Sequence, residues 1–231
     1  MHAFYCKNLA DKGEIISLER TESDHLFKTL RGRVGDQVML LDGCGKTAIA
    51  EIVANKELKI CDVTLHKAPE CQIFLFVAAP RKQKLDQVLK QATELGVSAI
   101  CIMHCDYSVA LPEGSSRWDA ILLEACKQSN NPFIPEILPV MKFQEALEYI
   151  EKNSIAGIFG DVEDNHEKLL CSDSKKIAFF VGPEGGFSDK ELAAMREKSF
   201  GALNLGPYIL RLETAAVCGV AVIRKIFDGE Y

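Results

Sequence analysis

Ile177-Ala178-Phe179-Phe180-Val181-Gly182-Pro183-Glu184-Gly185-Gly186-Phe187-Ser188-Asp189 decides how this 231-residue chain is read. Its unbroken apolar opening, Ile177 to Val181, fits a strand buried on both faces, as in parallel sheets. The run stops on Gly182, and Gly185 and Gly186 follow. Glycines there let the backbone turn sharply and let a ligand approach it closely. Ser188 and Glu191 have the spacing of a capping box and predict a helix over 188–199. The scheme then recurs. A strand predicted over Ala202–Leu205 gives way to Gly206-Pro207-Tyr208-Ile209-Leu210-Arg211, and a last helix follows over Glu213–Phe227. Two such turns at one sheet edge enclose a single pocket, walled mainly by main chain.

Upstream, apolar runs and amphipathic stretches alternate from Gln72 onward. Strands are predicted over Ile73–Ala78, Ala99–Met103, Glu136–Leu138 and Ile155–Phe159, and helices over Lys84–Leu95, Ser116–Ser129 and Phe143–Lys152. Leu85, Val88, Leu89, Ala92 and Leu95 form one stripe, and Gly96 stands where a helix commonly closes. This alternation predicts an α/β fold with a mostly parallel sheet and helices on both faces. Periodicity alone predicts an ordinary unknotted wrap. Lys67-Ala68-Pro69-Glu70-Cys71 reads as a linker, because proline blocks regular pairing. Before it, strands are predicted over Glu14–Leu18, Val38–Leu41, Thr47–Val53 and Ile60–Leu65. A helix over Thr21–Leu30, opened by a Thr21-to-Asp24 capping box and closed by Gly32, sits between them. Short strands with one small helix predict a compact β-barrel.

The composition, 48% hydrophobic and 26% charged, is that of an ordinary globular protein. The start, Met1 to Lys7, lacks the apolar core of a signal peptide, and no apolar run is long enough to span a bilayer. Nine scattered cysteines fit a reducing cytoplasm better than a disulfide scaffold. The net charge of −6 argues mildly against nucleic acid. Basic residues nevertheless cluster at Lys28, Arg31 and Arg33, and at Arg81, Lys82 and Lys84, and an RNA surface needs only a local patch. Gly43-Cys44-Gly45-Lys46-Thr47 fails the phosphate-loop pattern, since Leu40 stands where the first glycine belongs, and reads as a tight turn between strands. Cys101, His104 and Cys105 lack zinc-site spacing, so no metal is expected. The histidines show no hydrolase arrangement.

Gly182–Phe187 and Leu205–Ala215 carry a specific resemblance. They are similar to the two signature turns, Gly-Pro-Glu-Gly-Gly-Phe and Leu-Gly-x-x-Ile-Leu-Arg-x-Glu-Thr-Ala, of the ribosomal RNA small subunit methyltransferase E family, a branch of the knotted SPOUT methyltransferases. Lys82–Val97 resembles that family's Lys…Lys-Ala-x-Glu-Leu-Gly-Val element. His25, Leu26, Leu30, Arg31, Gly35, Asp36, Asp42 and Gly43 fit its N-terminal pattern. The resemblance implies a SPOUT-type sheet with a C-terminal trefoil knot over 69–231, preceded by a PUA-like RNA-binding barrel over 1–68. It implies a homodimer, with small residues of the last helix serving knot and interface.

It also implies methylation of uracil N3 in 16S ribosomal RNA, free or in the small ribosomal subunit, from S-adenosylmethionine, with neither metal nor membrane. Carried over residue by residue, cofactor contacts fall on Val181, Gly182, Pro183, Glu184, Gly185, Gly186, Leu205, Gly206, Ile209, Leu210 and Arg211. Arg211 becomes the catalytic cation, with Glu184 and Glu213 to orient it or accept a proton; Glu184 reads equally as a cap on its own loop. RNA contacts fall on His25, Lys28, Arg31, Arg33, Arg81, Lys82, Lys84 and Lys90. Lys90 and Glu94, four apart on one helix face, read equally as a surface ion pair. The chain departs from the family at Asn130-Asn131, where Gly-Arg is usual, and at Tyr208, where arginine is common. Two alternatives stay open: a knotted methyltransferase with another target, tRNA or a ribose 2′-OH, and a non-catalytic RNA-binding assembly factor.

Overall fold

The computed structural model describes residues 1–80, 82–108, 116–161 and 174–227, with Lys82 and Ser116 described in their backbone only. The chain divides into two units. One comprises Met1–Ala68 with Leu123–Ile134, the other Pro69–Leu122 with Pro135–Tyr231.

In the first unit β1 (Ala3–Tyr5), β2 (Ile15–Ile16), β3 (Gln37–Leu41), β4 (Lys46–Ala54) and β5 (Glu57–Leu65) form one sheet in the order β1-β3-β4-β5-β2. β1 pairs with β3 in parallel and the other pairs are antiparallel. Phe4, Leu40, Ala50 and Leu58 are fully buried at its core. β1 escapes the sequence reading because three residues are too few to show alternation. The 43–47 run is the turn from β3 to β4: Asp42 Oδ1 accepts from the amides of Cys44 (2.7 Å) and Lys46 (3.0 Å). Asn130, at the end of the Leu123–Ile134 segment's helix, adopts a left-handed φ of 59°. Asparagine tolerates that conformation, which explains why it can replace a glycine.

The predicted helix over Thr21–Leu30 needs correction. A short α1 (Arg20–Asp24) runs into a π-helical turn over His25–Thr29, in which the Leu30 amide reaches back to the His25 carbonyl at 3.0 Å. Its N-cap is Glu19, which makes no side-chain cap, so the Thr21 capping box does not form. Arg31 (φ 57°), rather than Gly32, takes the left-handed position. The smallness of Gly32 serves packing, since a Cβ there would stand 2.8 Å from Ile52 Cδ1.

The second unit holds β6 (Gln72–Ala78), α2 (Lys82–Glu94), β7 (Ala99–His104), α3 (Ser116–Ser129, whose latter half belongs to the first unit), β8 (Glu136–Ile137) and β9 (Met141–Lys142). α4 (Phe143–Lys152), β10 (Ala156–Gly160), β11 (Lys176–Val181), α5 (Asp189–Glu197), β12 (Gly201–Leu203) and α6 (Leu212–Phe227) complete it. The sheet order is β12-β10-β11-β6-β7-β8, with β9 also on β7, and every described pairing is parallel. β11 is central: Ile177 through Phe180 are fully buried, as an uninterrupted apolar strand should be. Phe180 stacks on Phe76 of the neighbouring strand, centroids 4.7 Å apart.

After β12, at the sheet edge, the chain returns inward, and α6 packs on α2, β6 and β11. Gly219 makes that approach possible, because a Cβ there would lie 2.1 Å from the Phe179 ring. Arg224 is buried in the same layer and donates to the carbonyls of Cys71 (2.8 Å) and Gly96 (2.5 Å). Gly96 closes α2 with φ 72°, as its position predicts.

Candidate active site

Parallel strands deliver their carboxyl ends to one edge, where ligand sites of open α/β sheets form. β10, β11 and β12 end there together, with Phe159 level with Phe180 and Gly160 level with Leu203. A cavity of about 490 Å³ opens at this edge, lined by Gly160 and Asp161 after β10, by the turn after β11 and by the turn after β12. The first turn is closed by a 2.8 Å bond from the Gly186 amide to the Pro183 carbonyl, with Gly186 at φ 79°. The second is closed by Asn204 Oδ1, which accepts from the Gly206 amide at 2.8 Å, with Gly206 at φ 130°. Among the described residues, apart from each glycine's chain neighbours, nothing lies within 4 Å of where a Cβ on Gly186 or Gly206 would stand, so bare backbone faces open space at both.

α5 begins directly after the first turn and is capped as its sequence predicts. The Ser188 amide donates to Glu191 Oε2 (2.8 Å) and the Glu191 amide to Ser188 Oγ (3.3 Å). Ser188 Oγ also donates to Asp106 Oδ2 at 2.6 Å, and the Asp106 amide to Glu191 Oε1 at 3.0 Å. The first turn is thereby tied to the end of β7.

Of the predicted cofactor residues, Val181, Gly182, Pro183, Glu184, Gly186, Leu205, Gly206, Ile209 and Leu210 line the cavity; Gly185 and Arg211 do not. Arg211 is exposed at the head of α6, where its carbonyl accepts from the Ala215 amide. Neither Glu184 nor Glu213 pairs with it. Both instead face Lys84: its Nζ lies 2.5 Å from Glu184 Oε1 and 3.5 Å from Glu213 Oε2. The two glutamates, expected to orient Arg211 or accept a proton, thus meet Lys84 in this structure, and Lys84, expected on the RNA side, is turned toward carboxylates. The hydrogen bond to Glu184 is the main cause of a raised Lys84 pKa, so the side chain stays cationic.

His25, Lys28, Arg31 and Arg33 are exposed in the first unit, and Lys90 is exposed on α2. Among the described residues Lys90 and Glu94 form no ion pair with each other. Arg81 falls outside the described residues, and so does the side chain of Lys82. Burial pushes the thiol of Cys101 up to about 12 and that of Cys105 higher still, so neither is a thiolate at neutral pH.

Asp161 was missed in the sequence. It lines the cavity and pairs with Arg196 of α5 at 3.3 Å. Its signal was present: the predicted strand over Ile155–Phe159 also runs into a glycine, Gly160, just before it. Phe187, the last residue of the first signature turn, also lines the cavity and packs on Gly182.

Residues 66–224 match the RNA methyltransferase domain family. A relative from Aquifex aeolicus, ribosomal RNA small subunit methyltransferase E, is 30% identical over 96% of this chain and 99% of its own length. The chain belongs to the ribosomal RNA small subunit methyltransferase E family. The Bacillus subtilis member is 26% identical over 94% of this chain and 92% of its own. A solved family member from Neisseria gonorrhoeae, with S-adenosyl methionine bound, superposes with a TM-score of 0.86 at 27% identity and covers 98% of each chain. Among the described residues, no helix is long and apolar enough to cross a membrane.

Proposed function

We propose that this RNA methyltransferase transfers a methyl group from S-adenosylmethionine to N3 of a uracil in 16S ribosomal RNA. One observation carries the reading: both signature turns, with the end of β10, wall a single cavity at the carboxyl edge of the sheet. The residues fit that cofactor. The volume suits a small-molecule site, and two left-handed glycines present open main chain for hydrogen bonds to a nucleoside and an amino-acid moiety. Asp161 and Glu184 add carboxylate character that suits a cation. When bound, S-adenosylmethionine supplies an electrophilic methyl on a sulfonium.

The chain's own groups do the rest. Uracil N3 carries a proton at neutral pH and must lose it to attack. Arg211 follows Leu210, which lines the cavity, and is exposed. It is the group proposed to stabilise negative charge that develops on the uracil oxygens. Glu184, which lines the cavity, is the proposed proton acceptor. Holding donor and base in line provides the remaining acceleration.

In this reading residues 1–68 are a PUA-like RNA-binding barrel whose exposed His25, Lys28, Arg31 and Arg33 meet phosphate, and within 69–231 Arg81, Lys82 and Lys90 are RNA contacts of their own. Exposed Tyr208, beside the cavity, stacks on a base. The return of α6 from edge strand β12 to β6 and β11 supports a trefoil knot. The face of α6 carrying exposed Cys218, Val222 and Ile226 supports a homodimer contact. The site of action is the cytoplasm.

Arg211→Ala tests the assignment. Methyl transfer to 16S RNA should fall roughly 10²- to 10³-fold, as when one charge-stabilising donor is lost, while calorimetric binding of S-adenosylmethionine survives. Mass spectrometry of 16S RNA from cells with and without the gene closes the question. A 3-methyluridine that persists without the gene overturns the target.

A further inference from the structure

We infer that Lys84 is a positioning residue that holds the cofactor turn against the start of α6, rather than an RNA contact. This inference rests on the cofactor reading above and says which residue outside the two turns sets their shape. Three elements converge on the Lys84 ammonium. Lys84 itself lies in the first turn of α2. Glu184 comes from the turn after β11, and Glu213 from the first turn of α6, next to Arg211. Glu184 lines the cavity, while Lys84 and Glu213 do not. Glu213 is mostly buried, 11% exposed, and among the described residues its buried Oε2 has no hydrogen-bond partner; the Lys84 ammonium 3.5 Å away balances its charge. A buried carboxylate without such a cation is costly, so the start of α6 depends on Lys84. The 2.5 Å bond to Glu184 fixes the other wall. Glu184 is half exposed and sits on a turn rich in glycine, so a charge-assisted bond has most to contribute there.

The test is calorimetric binding of S-adenosylmethionine to the full-length protein and to Lys84→Met, Lys84→Arg, Glu184→Gln and the Lys84→Met/Glu184→Gln double variant. RNA binding is measured in parallel on a 16S fragment. Lys84→Met should weaken cofactor binding roughly tenfold, the scale of one charge-assisted bond. Lys84→Arg should restore most of it, because the charge is kept. The double variant should bind about as well as Lys84→Met alone, since both changes break the same contact. A merely structural lysine would give additive losses and no rescue by arginine, and that outcome overturns the proposal. So does unchanged cofactor affinity in Lys84→Met, or a loss confined to RNA binding. If the unaltered protein binds no S-adenosylmethionine, the cofactor reading itself fails, which no result on the variants can imitate.

Discussion

Lys28 in the first unit and Lys84 in the second both belong to basic clusters that look alike in sequence. Lys28 is 70% exposed and pairs with Asp24, one helical turn back, at 2.9 Å. Lys84 is 28% exposed and pairs with carboxylates on a distant turn and a distant helix. The difference is one of range. A pairing four residues apart is set by helical geometry wherever the helix lies. A pairing a hundred residues apart exists only if the sheet assembles its strands in one particular order. The first unit holds a long-range pair of its own: Lys127 lies 2.9 Å from Glu22, both nearly buried. Range, and not membership of a unit, separates a solvated charge from a structural one.

Three substitutions bear on this contrast, beginning with the scaffold that long-range pairing needs. Gly219→Leu forces a side chain into the Phe179 ring and pushes α6, with Glu213 at its head, off the sheet. Denaturant unfolding should show a loss of about 3 kcal/mol, at the upper end for an overpacked core, with cofactor binding weakened in proportion. If Gly219→Leu is tolerated, the close approach of α6 is not what brings Glu213 to Lys84.

Lys127→Met should cost about 2 kcal/mol, the scale of hydrogen bonds to charged groups. Burial works against the Lys127 charge, but the bonds it donates to Glu22 and Glu124 prevail and its pKa is raised above 10.5. A raised lysine contributes stability that is whole below its ordinary pKa and is lost as pH climbs through the folded value. The gap between the unaltered protein and Lys127→Met should therefore stay constant through neutral pH and narrow above pH 10.5. A gap that widens there would mean that Lys127 is held by packing alone.

Lys28→Ala has the smallest expected effect on the fold. An exposed i, i+4 pair contributes little, so the melting temperature should not move within error. RNA affinity should fall, and its salt dependence should become shallower by one phosphate contact. An unchanged salt slope would remove Lys28 from the RNA surface.

Much of the architecture was legible along the chain. The alternation after Gln72 names the strands and helices of the parallel sheet to within a residue or two, except the two-residue β9 (Met141–Lys142), which is too short to show a pattern. The Ser188–Glu191 cap and the Gly96 helix end form as read, because each is a local motif whose partners lie a few residues apart. Local reading failed where a motif had a rival. At Thr21–Asp24 the capping pattern is present, but the helix starts a residue earlier and loosens into a π-turn at His25, and the left-handed residue is Arg31. The two turns also announced themselves, since glycines after an apolar strand mark a place where backbone is bared. Asp161 was overlooked because its turn carries a single glycine and no longer motif.

The sequence by itself determined the identity of the elements, the cap of α5 and the residues of the two turns, because these depend on side-chain periodicity and on backbone freedom at particular glycines. Only the tertiary structure decided that β10, β11 and β12 end side by side and that α6 comes back from the edge to the middle of the sheet. It also decided that Lys84, Glu184 and Glu213 meet while Arg211 stays in solvent. Those outcomes follow from strand order, which is selected by burial summed over the whole sheet, and no window of neighbouring residues contains that sum.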